Sequence, residues 1–224
     1  PAGLRALSEF YSKLGGEATL TRLNEALRRN PEDSVAYYHR GHVFMQTELF
    51  DQAYEDFNRS IELGFSWPGA LAARGRVSNI LGIPWAIAIR DLSAAVERDP
   101  QNAEYYAYRG DGYRIGSVLS VASRDLNQAL LLNPNLAEAY HFRGLLLHDL
   151  GLYKKAIEDF DHAISLDPGL AGAVNGRAES YRRLELFVET GLDTQAFEVL
   201  SRDFSLGFSE PDLFAWRGRA AQLA

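Results

Sequence analysis

Apolar residues recur along this chain at three- and four-residue steps, in runs that end on glycine or proline. The segment AEAYHFRGLLLHDLGLYKKAIEDFDHAISLDP, residues 137–168, has one such run on each side of Gly151. Because this spacing places the apolar side chains on one helix face, each run predicts an amphipathic α-helix. Gly151 fits a left-handed cap that ends the first helix, and the closing Asp-Pro cannot continue the second. The segment therefore predicts a pair of helices joined by a short turn.

The helix pair is an internal repeat. An Arg-Gly dipeptide, or Arg-Ala in the fifth unit, recurs from Gly41 to Gly218 in steps of 34, 35, 34, 34 and 40 residues. In each of the first five units an alanine follows after 12 to 18 residues, and a phenylalanine or leucine comes four residues later. A single pair of this size cannot bury its apolar face, so successive pairs are expected to stack on one another.

This pattern resembles the tetratricopeptide repeat (TPR) family, whose unit of about 34 residues has aromatic residues, small residues and a proline at fixed positions. The unit at 137–170 matches at Tyr140, Gly144, Ala156, Phe160, Ala163 and Pro168. The unit at 103–136 matches at Tyr106, Gly110, Tyr113, Ala122, Leu126, Ala129 and Pro134. The resemblance implies an all-α fold, a right-handed α-solenoid of stacked antiparallel helix pairs with about 12 helices.

The resemblance also implies how the chain is divided. A single array is expected over 1–224, with a degenerate first pair at 1–33, repeats at 34–67, 68–102, 103–136, 137–170 and 171–210, and a C-terminal capping helix at 211–224. At two junctions the usual Asp-Pro or Asn-Pro is replaced by the sequence LGFSxP, at residues 63–68 and 206–211. There the glycine is expected to end one helix in the left-handed conformation, and serine and proline to begin the next.

Small and charged residues predict contacts between the two helices of a pair. Gly144 and Ala156 are expected to face each other and to let the helices approach closely. An arginine precedes each small residue of the first helices, and Val199 replaces the matching aspartate in the fifth unit, so Arg177 is expected to be free for another partner. In the other units the spacing predicts ion pairs Arg40–Asp56, Arg74–Asp91, Arg109–Asp125 and Arg143–Asp159.

Composition limits the function. The net charge of −7 and the pI near 5.3 argue against a nucleic-acid partner. The chain has no cysteine, which excludes disulfides and thiol catalysis and is compatible with either a bacterial cytoplasm or a periplasm. No apolar run approaches the roughly 18 residues that cross a bilayer, so no membrane span is expected.

Three local motifs are better explained by the repeat than by chemistry. The tripeptide RGD at 109–111 lies inside a predicted helix, and the glycines of GDGYRIG at 110–116 serve as a helix contact and a helix end. His141 and His148 lie on one helix face, but no third converging ligand is evident for a metal. No catalytic residue, cofactor or metal is therefore expected.

The resemblance implies where a partner would bind. In TPR arrays the first helices line a concave face that holds an extended peptide or a partner helix. The lysine and asparagine residues with which one TPR subfamily binds chaperone C-termini are absent in every register, so that partner is not expected. The matching groove positions in this chain are Tyr38, His42, Met45, Arg76, Asn79, Asp111, Arg114, His141, His148, Asn175, Glu179 and Arg182.

The sequence thus favours a noncatalytic scaffold or adaptor that binds another protein in this groove. Two alternatives stay open, self-association to a homo-oligomer through the helix at 211–224 and a regulatory role within a longer enzyme. The groove hypothesis predicts that Arg76→Glu or Arg182→Glu weakens partner capture without unfolding the chain.

Overall fold

The structure, a computed structural model, describes residues 16–183 of the chain. In that range all regular structure is α-helical, which confirms the expected all-α fold of helix pairs. Of the about 12 helices expected for the whole chain, ten lie in the described part; the second LGFSxP junction and the helix at 211–224 lie outside it. The helices are α1 Gly16–Arg29, α2 Ser34–Gln46, α3 Phe50–Glu62, α4 Pro68–Ile80, α5 Trp85–Arg98, α6 Ala103–Ile115, α7 Leu119–Leu132, α8 Ala137–Asp149, α9 Tyr153–Leu166 and α10 Ala171–Arg183.

The chain divides into two compact units, residues 1–118 and residues 119–224. In the first unit α2 pairs with α3 and α4 with α5, and each pair packs against the helix that follows it. In the second unit α8 pairs with α9, and α9 also packs against α10. The single array from 1 to 224 stays a prediction.

Each unit has its own apolar core. In the first unit, Tyr38, Phe57 and Val77 belong to one buried cluster, against which Phe65 and Trp67 pack. In the second unit, Phe160 is fully buried among small residues of α9 and α10. Burial of side chains of this size stabilises the fold by about 1.5–3 kcal/mol each, so these large residues between small ones hold the helices together.

Glycine in the first helices makes room for a large side chain of the second helices. A Cβ on Gly144 would lie 2.7 Å from Phe160, and a Cβ on Gly75 would lie 2.7 Å from Leu92. The three atoms nearest to a Cβ on Gly144 all belong to Phe160. The expected Gly144–Ala156 contact is therefore not the closest one, because the Phe160 ring extends across the glycine.

The first LGFSxP junction ends one helix and starts the next largely as the sequence predicts. Gly64 has a φ of +88°, and the amides of Gly64 and Phe65 donate to the carbonyls of Ile61 and Ser60. These two bonds form a Schellman cap, in which glycine takes the left-handed conformation and an apolar residue follows. Pro68 is the first residue of α4, as expected, whereas the N-cap is Trp67 rather than Ser66.

The ion pairs predicted within helix pairs are present in three repeats. Arg74 donates from Nε and Nη2 to the two carboxylate oxygens of Asp91, at 2.7 and 3.0 Å. The same two-bond geometry confirms Arg40–Asp56 and Arg143–Asp159. Arg109–Asp125 has its members in different units and stays a prediction.

Each of these arginines also reaches the preceding helix pair, which the sequence reading did not predict. The Nη1 of Arg74 donates to Asn58 on α3 at 2.8 Å, so one guanidinium connects three helices. The equivalent bonds join Arg40 to Asn24 and Arg143 to Asn127.

Arg177, which was expected to be free for another partner, has one in the preceding helix pair. Its Nη1 donates to Asp161 on α9 at 2.6 Å. Asp161 stands 16 residues before the arginine, the position that asparagine holds before Arg40, Arg74 and Arg143. The loss of the aspartate at position 199 therefore leaves the bond to the preceding pair intact.

None of the helices within residues 16–183 is long and apolar enough to cross a membrane.

Candidate partner-binding surface

The expected contact positions lie on five first helices, which contact one another directly within each unit. In the first unit α2 contacts α4 and α4 contacts α6, and we call their shared face the α2–α4–α6 surface. In the second unit α8 contacts α10, which gives the α8–α10 surface. The first surface carries Tyr38, His42, Met45, Arg76, Asn79, Asp111 and Arg114, and the second carries His141, His148, Asn175, Glu179 and Arg182.

Tyr38 belongs to the core rather than to the open part of this surface. It is 4% exposed, and its ring packs against Phe57, Phe65 and Trp67. Burial raises the pKa of the Tyr38 hydroxyl, with smaller contributions in the same direction from Tyr105 and Glu104. The repeat position did not give the depth of Tyr38, because the LGFSxP junction adds two aromatic rings that cover it.

His42 stands between the core and the surface. Its ring meets the Tyr38 ring edge to face at 4.5 Å and the Phe57 ring at 5.1 Å. Its Nε2 is buried and has no hydrogen-bond partner within residues 16–183. Burial lowers the pKa of His42 to about 4, and the nearby His39 and Arg76 act in the same direction. The imidazole is therefore neutral at pH 7.

Arg76 and Asn79 both hold Tyr108 on the next first helix. The Arg76 guanidinium carbon lies 4.8 Å from the centre of the Tyr108 ring, which is within cation–π range. The Asn79 Nδ2 donates to the Tyr108 carbonyl at 3.0 Å. Gly112 leaves space for this amide, because a Cβ there would lie 3.2 Å from Asn79 Oδ1. Tyr108 was not among the expected site residues, although it lies on the helix that carries two of them.

On α6, the charges of Asp111 and Arg114 compensate each other. Arg114 Nε donates to Asp111 Oδ1 at 3.0 Å, and Nη2 of the same arginine lies 2.9 Å from that oxygen. Asp111 is 8% exposed, so it is a second expected contact position that is buried. Met45, the remaining expected position of the first unit, packs against the core cluster while staying partly exposed.

In the second unit, two histidines are held by α10. His141 lies over Gly172, where a Cβ would be 2.8 Å from the ring. His148 Nδ1 is 2.8 Å from Ser180 Oγ, and that hydroxyl donates its own proton to the Gly176 carbonyl at 2.8 Å. With its proton on Gly176, the hydroxyl accepts from Nδ1–H, so in the neutral imidazole Nε2 of His148 is an acceptor. Ser180 could have been found from sequence as a polar residue on the buried side of α10.

At the end of α10, Glu179 is shared by two arginines. Arg183 Nε donates to Glu179 at 3.0 Å, and Arg182 also forms an ion pair with it. Burial acts to raise the pKa of Glu179, but the hydrogen bonds from Arg183 and Arg182 outweigh it and lower the pKa below its usual value. Asn175 is exposed on the same helix.

Residues 16–183 contain no group of three histidine, cysteine, aspartate or glutamate side chains placed to hold a metal ion. His141 and His148 are instead occupied in packing and in the bond to Ser180.

Comparisons with known proteins agree with the helix-pair architecture. Residues 34–63 and 137–170 each match a family model of the tetratricopeptide repeat. No curated protein sequence matches the chain.

Several solved structures are similar in fold. TTC0263, a thermophilic TPR protein from Thermus thermophilus, has 21% identity and a TM-score of 0.68, over 85% of this chain and 100% of its own. The APC/C hetero-tetramer Cut9-Hcn1 contains a chain with 17% identity and a TM-score of 0.71; the match covers 91% of the present chain but only 38% of that one. YrrB, described as a TPR protein with an unusual peptide-binding site, has 21% identity and a TM-score of 0.51, over 92% of this chain and 99% of its own.

Proposed function

Because the chain is a tetratricopeptide-repeat protein, we propose that it is a noncatalytic scaffold that binds a peptide segment or partner helix on its first helices. The observation that carries this proposal is the state of Arg76 on the α2–α4–α6 surface. Its guanidinium is stacked on Tyr108, and no carboxylate within residues 16–183 forms a salt bridge with it. An arginine that is positioned but not neutralised is a common anchor at protein interfaces.

An exposed apolar side chain also supports the α2–α4–α6 surface as the binding site. Ile80, the last residue of α4, is 47% exposed and lies one residue after Asn79. A protein ligand can cover an exposed isoleucine and bind a nearby cation at once, whereas the net charge of −7 disfavours a nucleic acid. YrrB is described as having an unusual peptide-binding site, which makes a peptide the first ligand class to test, although its likeness to this chain supports only the fold.

The other two hypotheses stay predictions from the sequence. Self-association concerns the helix at 211–224, which lies outside the described residues, and the regulatory hypothesis makes this array one part of a longer enzyme.

The proposal can be tested with a displayed library of random 12-residue peptides (about 12 residues suits an extended segment across several helices). We expect the wild-type chain to enrich peptides, and Ile80→Glu to lower their binding at least about tenfold by placing a charge in the contact. The control is Leu131→Glu on α7, because Leu131 is 77% exposed but lies on a second helix. Failure of the wild type to enrich any peptide, or equal loss in both variants, would reject the surface.

The structure also changes the choice of charge variant. Arg76→Glu remains a direct test of the surface. Arg182→Glu would place a new carboxylate beside Glu179, so lost binding there could come from repulsion within α10.

A further inference from the structure

We propose that Arg76 and Asn79 form a subsite for an acidic side chain in the interior of an extended peptide. The inference rests on the proposed function, and adds to it the chemistry of the ligand and the residues that recognise it. It follows from the geometry of Arg76, the unused acceptor of Asn79, and the state of the neighbouring charges.

Arg76 is pre-organised to bind a carboxylate. Its guanidinium lies over the Tyr108 ring at 4.8 Å, so the side chain has a support that limits its freedom. A stacked guanidinium keeps its N–H donors in the plane at its edge, which matches the two oxygens of a carboxylate. Two other arginines at expected contact positions already form ion pairs, Arg114 with Asp111 and Arg182 with Glu179.

Asn79 supplies an acceptor one helical turn away. The Tyr108 carbonyl can accept only from Nδ2, which identifies the other atom of the amide as Oδ1. The remaining Oδ1 has no hydrogen-bond partner within residues 16–183 and is buried. The residue as a whole is half-buried and its terminal torsion is soft, so we infer that the amide turns on ligand binding until Oδ1 meets a donor at the surface. A main-chain N–H of the ligand satisfies this acceptor.

The two groups match one extended peptide. Residues three apart on a helix have their Cβ atoms about 5–6 Å apart, and an extended chain advances about 3.3 Å per residue. A ligand residue whose carboxylate binds Arg76 therefore has a main-chain N–H within one or two positions that reaches Asn79. The next side chain then lies near Ile80, which favours an apolar residue beside the acidic one.

The acidic group is an internal side chain rather than a C-terminal carboxylate. α4 lies between α2 and α6, and both of those helices carry partly exposed side chains, Met45 and Arg114. A peptide that crosses this surface continues past Arg76 in both directions, so its end does not fall there. The protein as a whole is acidic, so an acidic ligand residue is attracted only locally. Arg76 supplies this attraction, because it is a cation without a carboxylate partner among residues 16–183.

The test measures binding of the full chain to pairs of synthetic ten-residue peptides in an alanine, serine and leucine background (about ten residues exceed the width of three helices). Each pair has one central aspartate or glutamate, or the matching asparagine or glutamine, and each peptide is made with a free and with an amidated C-terminus. We expect about tenfold tighter binding of the acidic members, the size typical of a charged hydrogen bond. Arg76→Gln is expected to remove this preference, whereas Arg28→Gln, an exposed arginine of α1, keeps it.

Two further variants examine the asparagine. Asn79→Ala is expected to weaken acidic and neutral peptides alike, by about fivefold, because it removes an acceptor for the main chain. Gly112→Ala adds a Cβ 3.2 Å from Asn79 Oδ1 and 3.0 Å from Ile89 Cδ1, so it crowds the amide and is expected to give the same result. Circular dichroism of each variant checks that the helices are retained.

The outcomes separate the two proposals. Peptides that bind without an acid preference, or with one that survives Arg76→Gln, overturn the subsite and leave the scaffold function standing. A preference that disappears when the C-terminus is amidated overturns the internal side chain as its source. A wild-type chain that binds no peptide rejects both proposals.

Discussion

Arg74 and Arg76 on α4 have different roles, because they point to different sides of the helix. Arg74 is 8% exposed and bonded to Asn58 and Asp91, whereas Arg76 lies on the candidate α2–α4–α6 surface. Residues two apart on an α-helix are separated by about 200°. The Arg74 guanidinium therefore contacts the second helices, whereas that of Arg76 contacts Tyr108 on the next first helix. The same residue type is a structural bridge at one position and a proposed ligand contact two residues later.

At the scale of single residues, the burial of His42 makes the free energy of unfolding depend on pH. The folded-state pKa is about 4, below the ordinary value of 6.5, so the unfolded chain binds a proton first as pH falls. Neutral His42 contributes its full stabilisation above pH 6.5, and this stabilisation is lost between pH 6.5 and pH 4. The loss is at most about 3 kcal/mol. We expect His42→Gln to lose less free energy of unfolding than the wild type between about pH 7 and about pH 4.5.

Urea unfolding at the two pH values measures this difference. His39, whose pKa is also lowered chiefly by burial, stays in both proteins and gives both some slope. Equal slopes in wild type and variant would contradict the role assigned to His42.

At the scale of the helix pair, contact between a glycine and a large side chain sets how closely the helices approach. Gly144 on α8 lies under the fully buried ring of Phe160 on α9. Gly41 and Phe57 repeat the arrangement in the first unit. The packing therefore depends on the absence of a single methyl group in the first helix.

We expect Gly144→Ala to lower the free energy of unfolding by about 1–3 kcal/mol through overpacking. This result would run against helix propensity, which favours alanine over glycine by about 1 kcal/mol. Denaturant unfolding measures it, with Gly16→Ala as the control because no side chain among residues 16–183 lies within 4 Å of a Cβ at that position. An unchanged or increased stability would show that the Phe160 ring moves aside at little cost.

At the scale of the whole molecule, the described helices belong to two compact units built from local contacts. In repeat proteins each pair interacts mainly with its neighbours, so a local defect is expected to stay local. The hydrogen bonds that each arginine forms to two helix pairs, here called arginine bridges, carry such a defect only as far as the preceding pair.

Asp91→Ala tests this locality. It leaves Arg74, whose side chain is 10% exposed, without its carboxylate, which is expected to cost about 3–5 kcal/mol. Hydrogen exchange followed by mass spectrometry should show faster exchange in α3, α4 and α5, the helices that Arg74 joins, and little change in α8 to α10. Asp159→Ala is the matched variant in the second unit and should give the reverse pattern. Equal acceleration everywhere in either variant would show one cooperative molecule.

The fold was predictable because its determinants are residue types at fixed spacings. Gly64, Pro68 and the three Arg–Asp pairs each have a local or same-pair explanation. The second partner of each arginine was missed because it lies in the preceding pair. The signal was present, since Asn24, Asn58, Asn127 and Asp161 all stand 16 residues before their arginine.

The candidate surface was less predictable than the fold. Repeat positions give the direction of a side chain from its helix, but they do not give its depth or its neighbours. Tyr38 is covered by the rings of an irregular junction, and Arg182 is bonded to a glutamate on its own helix. Both effects depend on side-chain contacts that vary from one repeat to the next.

The arginine bridges bear on how such a protein can change its length over evolution. Each bridge takes one acceptor from the pair before it and one from its own pair, at separations of 16 and 16 or 17 residues. A tandem duplication of one complete unit would bring a guanidinium for the unit upstream and an amide for the unit downstream. The gene could therefore grow by whole repeats with every connection preserved, whereas an insertion between two linked residues would separate them.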